Sequence, residues 1–201
     1  MPRKRAEIKK QKREVGVSVN GRESGDGVAH RTRPDLPDYL MPGLKVVFVG
    51  FNPGDRSSRI GHYYAGRGNQ FWSLLYESGL VPERLTPEDD HRLPDFGIGV
   101  TDLVKRWSRS SGELSPEDFK LGRAVLLGKL ERVTPGVIAL NGKGIFERLV
   151  GRPARLGLTR TRMAGARVFV LPSTSGRNGS LTRAEKLAYF RRLAGCVRPH
   201  A

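Results

Sequence analysis

Residues 44–79, LKVVFVGFNPGDRSSRIGHYYAGRGNQFWSLLYESG, decide how the remainder of the chain is read. An apolar run over residues 45–49 breaks at Gly50-Phe51-Asn52-Pro53-Gly54, and about twenty polar, glycine-rich residues intervene before an apolar helical pattern resumes at Phe71. The pattern predicts a buried strand, a tight turn and a loop at the strand's carboxyl end. In open α/β sheets that is where ligands bind.

Gly50 and Gly54 allow backbone conformations and close approaches that a Cβ would obstruct. Pro53 fixes φ and leaves one fewer amide to satisfy. Between them Asn52 offers a carbonyl oxygen and an NH2 at a fixed point above the sheet. The loop beyond carries Ser57, Ser58, His62, Tyr63 and Tyr64, hydrogen-bonding groups mixed with flat aromatic faces that suit a planar heterocycle. Asn69 is placed to cap the helix that starts near Phe71, whose first residues, Phe71 and Trp72, read as core.

Outward from this stretch, strand-like and helix-like patterns alternate. Residues 33–40 form a proline-punctuated lead-in, the helix from Phe71 ends at Gly79, and a charged loop over residues 81–92 leads to a strand within residues 97–104. Ser115-Pro116-Glu117-Asp118 combines an N-cap, a proline at the first helical position and first-turn acids, and starts a helix to about Val133. A strand over residues 137–140, a short helix over 143–149 and a last strand over 167–171 follow. Thr182 and Glu185 have capping-box spacing ahead of a final helix to about Ala194. The expected fold class is α/β, a three-layer α/β/α sandwich with a short, mostly parallel central sheet, formed by residues 31–201 as one domain. Residues 1–30 lack apolar periodicity and are rich in charge and glycine, so they read as a disordered basic arm. Such an arm either adds salt-dependent affinity for DNA or is a solvated tail.

The whole chain of 201 residues carries a formal charge of +16, and removing the net +5 of residues 1–14 still leaves +11 for the remainder. The globular part is therefore basic in its own right, which points to a polyanionic partner such as nucleic acid. No apolar stretch approaches the length of a membrane span and the basic N-terminus lacks an apolar signal region, so a cytoplasmic protein is expected. Cys196 is the only cysteine and His30, His62, His91 and His200 show no metal-ligand spacing, so neither an internal disulfide nor a metal or other cofactor is expected.

Gly50-x-Asn52-Pro53-Gly54 followed by Asn69-x-Phe71-Trp72 resembles the opening motif of the mismatch-specific uracil-DNA and thymine-DNA glycosylases, a branch of the uracil-DNA glycosylase superfamily. GIGVTDLVKR at residues 97–106 and LPSTSGR at 171–177 extend the resemblance, and Asn141-Gly142-Lys143 ahead of Ile145-Phe146-Glu147 is also similar. The similarity runs over roughly residues 35–193 in the family's order. It implies double-stranded DNA with a mismatched or damaged pyrimidine as substrate, an enzyme working as a monomer (at the nucleoid in a bacterium), and hydrolysis at C1′ after the base has been turned out of the duplex.

Under this resemblance Asn52 is the family-matched catalytic residue. Its amide oxygen can orient a water but is far too weak a base to take a proton, so a nearby carboxylate would assist. Asp95, just ahead of the 97–104 strand, is the first choice for that auxiliary base, with Asp55 and Asp102 as competitors. Backbone N–H groups from Phe51 through Ser57 and the Ser57 hydroxyl are expected to meet the pyrimidine oxygens. Tyr64 holds the position of the family's aromatic stacker, an interaction worth roughly 1–3 kcal/mol per base. The 172–177 loop resembles the element that probes the duplex. There Ser173 and Ser175 would bond phosphates, Gly176 would let the loop approach the groove, and Arg177 would insert, face the orphaned base or make an ordinary phosphate contact. The wedge lacks the leucine of bacterial members and is closer to the thymine-DNA glycosylase form. Lys105, Arg106 and Arg109 read as a DNA face or a solvated basic face. No lysine matches a family catalytic position, so a monofunctional enzyme without a Schiff-base step is expected. The competing readings are a branch that acts on uracil in any context and a non-catalytic nucleic-acid-binding module.

Overall fold

The computed structural model describes residues 33–198, and the arm expected over residues 1–30 lies outside them. Five strands form one sheet in the order β2-β1-β3-β5-β4, namely β1 (Val46–Gly50), β2 (Ile98–Asp102), β3 (Val137–Asn141), β4 (Gly157–Met163) and β5 (Ala166–Leu171). The pairs β2/β1, β1/β3 and β3/β5 are parallel and β4/β5 is antiparallel. Every residue of β1 and β2 is buried, as continuous apolar runs in a parallel sheet covered on both faces should be.

The strand side chains sort alternately into two cores. Val46, Phe48, Ile98, Val100 and Phe169 pack against α2 (Phe71–Glu77), α5 (Arg183–Val197) and Leu93 of the 3-10 helix Pro87–Phe96. Val47, Val49, Ile138 and Val168 pack against α3 (Pro116–Val133) and α4 (Lys143–Val150). This is the three-layer sandwich expected from the alternating pattern. Phe48 anchors the first core, its ring 5.1 Å from Phe71 and 6.1 Å from Phe190. Both capping boxes form. Ser115 Oγ accepts from Asp118 N while the Asp118 carboxylate takes Ser115 N, and Thr182 and Glu185 repeat the exchange ahead of α5. No helix among the described residues is long and apolar enough to cross a membrane.

Three elements differ from the sequence expectation. A helix, α1 (Asp55–Ile60), forms inside the expected loop, begun by Gly54 and closed by Gly61 at φ 82°, whose N–H reaches Ser57 O. The charged loop over 81–92 gives way at Thr86 to the 3-10 helix, because the Thr86 N–H and hydroxyl both donate to the Asp89 carboxylate. Strand β4, GLTRTRM, has the alternating exposure of a sheet edge, and polar residues on an edge strand carry no apolar signal to read. Asn69 does act at the start of α2, where its side-chain oxygen accepts Phe71 N–H at 3.0 Å, although the capping position itself falls on Gln70.

Candidate active site

The carboxyl ends of the parallel strands lie at one pole of the sheet. Loops leaving Gly50, Asp102, Asn141 and Leu171 surround a cleft of about 1260 Å³ there. From β1 the chain proceeds to β2 on one side, and from β3 it proceeds to β4 and back to β5 on the other. A crevice therefore opens between the neighbouring ends of β1 and β3.

Asn52 stands two residues past the end of β1, half-buried on the cleft wall. Its Nδ2 donates to Ser108 Oγ at 2.8 Å, Pro53 O at 3.2 Å and Arg106 O at 3.3 Å. The Ser108 hydroxyl spends its own proton on Ser110 O at 2.6 Å, so toward Asn52 it can only accept. All three partners therefore require the NH2 group on their side, which fixes the amide's orientation by chemistry. The opposite atom, Oδ1, receives no hydrogen bond from the described residues and is available to a water. Ser108, 2% exposed, is thus a site residue that no motif pointed to.

Asp102 ends β2 directly beside Gly50, its parallel partner in β1. A Cβ on Gly50 would lie 2.1 Å from Asp102 Oδ1, so the glycine is what lets the carboxylate lie against the end of β1. Asp102 is 5% exposed, lines the cleft, and keeps Oδ2 without a hydrogen-bond partner. Burial pushes its carboxyl up to about 7, against the opposing pull of Lys105. A carboxylate poised near neutrality in a cleft is suited to general-base work.

Asp95, the first choice from sequence, does not reach this site. It is exposed at the end of the 3-10 helix, ahead of Ile98, and Ile98 pairs with Val46 at the start of β1. Five residues of parallel strand, about 13 Å, separate that pole from the cleft. Of the two competitors, Asp102 lies buried on the cleft wall with one oxygen unpartnered. The other, Asp55, lines the cleft but is held by Arg33 and Arg59, whose hydrogen bonds lower its pKa.

Tyr64 lies on the cleft wall with φ +54°, its ring stacked on Phe71 at 3.9 Å and 25°. The preceding residues are pinned from outside. Asp90, fully buried, accepts Tyr63 N–H at 2.9 Å and contacts His62 Nδ1 at 3.2 Å, and Trp72 Nε1 donates to Tyr63 O. Desolvation raises the pKa of Tyr64, so its buried hydroxyl stays neutral. Ser57 Oγ accepts Ala65 N–H at 3.0 Å, which fastens the returning loop to α1 and leaves the hydroxyl proton free to be donated. The Phe51 ring packs edge-on against Phe119, 5.5 Å between centroids, and the residues that start α1, Gly54 through Ser57, line the cleft.

The 172–177 loop forms the far rim. Asn141, at the end of β3, exchanges two hydrogen bonds with the buried Thr174, and Gln70 N–H reaches Thr174 O. Gly176 lies so close to the 66–69 loop that a Cβ would stand 2.9 Å from Gly68 O. Ser173 and Ser175 accept backbone N–H groups within the loop, and the exposed Arg177 donates to Arg109 O across the mouth. Lys105 departs from expectation, being drawn inward to Asp38 and Tyr63 Oη rather than facing the rim. Arg106 is exposed but paired with Asp118. Among the described residues no group of His, Cys, Asp or Glu is arranged to hold a metal ion.

Residues 37–194 match the model of the Uracil DNA glycosylase superfamily. The chain belongs to that superfamily. A solution NMR structure of a candidate uracil DNA glycosylase from Methanosarcina acetivorans is similar at 27% identity and a TM-score of 0.57, over 81% of this chain and 98% of that one. Membership implies a hydrolase that acts on DNA and releases a base. In that frame the cleft brings together, from the residues expected, Phe51, Asn52, Ser57, Tyr64, Ser173, Ser175, Gly176 and Arg177. It leaves out Asp95 and Lys105, includes the competitors Asp55 and Asp102, and adds Ser108 and Asn141.

Proposed function

We propose that this superfamily member is a monofunctional, mismatch-directed DNA glycosylase that turns uracil opposite guanine out of the duplex and hydrolyses its N-glycosidic bond. The observation that carries the reading is that the oriented Asn52 amide and the buried Asp102 carboxylate line one cleft at the ends of two hydrogen-bonded strands. Asn52 Oδ1 accepts a hydrogen bond from a water held against C1′. Ionised Asp102 takes that water's proton as the C1′–N bond breaks, and the negative charge passing to the pyrimidine meets the first-turn N–H groups of α1. Tyr64, backed by Phe71, offers the flat wall for the base. Arg177, on a loop clasped to β3, supports contact with the orphaned partner base, and its chemistry favours a guanine. The residues named in the cleft all come from one chain, which fits a monomer.

The test is single-turnover base release from oligonucleotides with U opposite G, U opposite A, T opposite G and single-stranded U, for the parent, Asn52→Ala and Asp102→Asn. The expected pattern is fastest release from U opposite G, lost in Asn52→Ala, slowed roughly 10²–10⁴-fold in Asp102→Asn, and in the parent rising with pH across neutrality. Equal release from all four substrates would favour the context-independent reading. No release with intact DNA binding would overturn the enzymatic one.

A further inference from the structure

Along the outer edge of β2, where Tyr39 bridges to Val100 and outside the cleft, lies a cluster of charges that the excision chemistry does not touch. Asp38 accepts from Thr101 Oγ1 at 2.6 Å and from Lys105 Nζ at 2.9 Å, and pairs with Lys129 Nζ of α3 at 2.5 Å. The side chains of Asp38, Lys105 and Lys129 are only 22%, 19% and 20% exposed. Two ammonium groups against one carboxylate leave a surplus of one positive charge in a poorly solvated place. A surplus charge there needs an anion nearby.

Two connections lead from the cluster to Asp102. Thr101, whose hydroxyl binds Asp38, is the residue before it in β2 and presents its side chain to the opposite face, so this link runs through the backbone. Lys105, three residues beyond it, also donates to Tyr63 Oη at 3.1 Å, next to Tyr64, whose hydroxyl would stand 3.5 Å from the same Gly50 Cβ that Asp102 obstructs. The remaining titratable groups around the site are the hydroxyls of Tyr39, Tyr63 and Tyr64, all kept neutral by burial, and Asp90 with His62 beyond Tyr63. When Asp102 ionises, it supplies the one negative charge that makes Asp38, Lys105, Lys129 and Asp102 neutral together.

We propose that Asp38, Lys105 and Lys129 form a built-in counter-charge that keeps the buried Asp102 ionisable and so sets the pH at which base excision begins. They act through Asp102 and are positioning residues rather than catalytic ones, and the proposal rests on the reading of Asp102 as the general base. Its electrostatics have the required signs, because Lys105 and Lys129 pull the Asp102 pKa down while Asp38 and burial push it up. Opposite changes to the cluster must then shift the midpoint in opposite directions, which loosened packing would not do.

The experiment uses the full chain with Lys129→Met, Asp38→Asn and Lys129→Arg. Two quantities are followed across pH, the carboxyl carbon-13 resonance of Asp102 without DNA and single-turnover release of U opposite G. Lys129→Met should raise both midpoints by about one pH unit, Asp38→Asn should lower both by a similar amount, and Lys129→Arg should restore the parent values. An Asp102 titration that stays put in both charge-changing variants, or moves the same way in both, overturns the counter-charge. A titration that shifts as expected while the excision profile does not supports the counter-charge and refutes Asp102 as the base.

Discussion

Replacing Asp102 with asparagine should slow base release and at the same time stabilise the fold above neutral pH. Burial lifts the Asp102 carboxyl from an ordinary 3.8 to about 7. A carboxyl whose pKa is raised on folding favours the folded state fully below its unfolded value, and that advantage is lost as pH climbs through the folded value. Three units correspond to about 4 kcal/mol, the free energy of ionising the group in its largely desolvated place. Asparagine does not titrate, so the stability of Asp102→Asn relative to the parent should improve by about that amount between pH 4 and pH 8.5. For a domain of this size the change in relative melting temperature is on the order of 10 °C. Thermal melts of both proteins at closely spaced pH values make the comparison, and only the slope matters, because the constant difference from placing an amide there cancels. Parallel pH profiles for the two proteins would refute the reasoning, since Asp102 would then ionise as an ordinary exposed carboxyl and could not be the poised base.

Gly50→Ala forces a Cβ to within 2.1 Å of Asp102 Oδ1, so it should destabilise by about 1–3 kcal/mol in urea titrations and displace the carboxylate, abolishing measurable release. Ser108→Ala removes the acceptor that orients Asn52 and should slow the chemical step by about 10-fold with substrate affinity unchanged, a split visible in single-turnover kinetics. Asp90→Ala leaves the buried Tyr63 N–H without its acceptor and frees the Tyr64 loop, and a loss of about 1–3 kcal/mol with weakened binding of uracil-containing DNA is expected from melts and titrations. Asp95→Ala, at the opposite pole, should release base at the parent rate, and a large loss there would contradict the assignment to Asp102.

The features legible along the chain are those whose causes lie within a few residues. The Ser115–Asp118 and Thr182–Glu185 boxes read correctly because a side chain meets a backbone N–H three positions away. The buried strands β1 and β3 read correctly because parallel strands covered on both faces are continuous apolar runs. Asn52, set by two glycines and a proline just past such a strand, was visible for the same local reason. Strand β4 was not, because an edge strand that presents Thr159, Arg160, Thr161 and Arg162 to its surroundings needs no apolar residues there. Asp95 and Asp102 flank one five-residue strand, and nothing local distinguishes them. The parallel register of Gly50 with Asp102 puts one at the cleft and the other a strand's length away. Ser108 meets Asn52 across 56 residues of chain, and Lys105 turns inward because Asp38 waits 67 residues earlier. Local backbone preference and apolar pattern are written residue by residue, so sequence alone determined the layers and the position of the principal catalytic candidate. The charge state and direction of a polar side chain depend on what burial and distant partners surround it, and only the tertiary structure decided those.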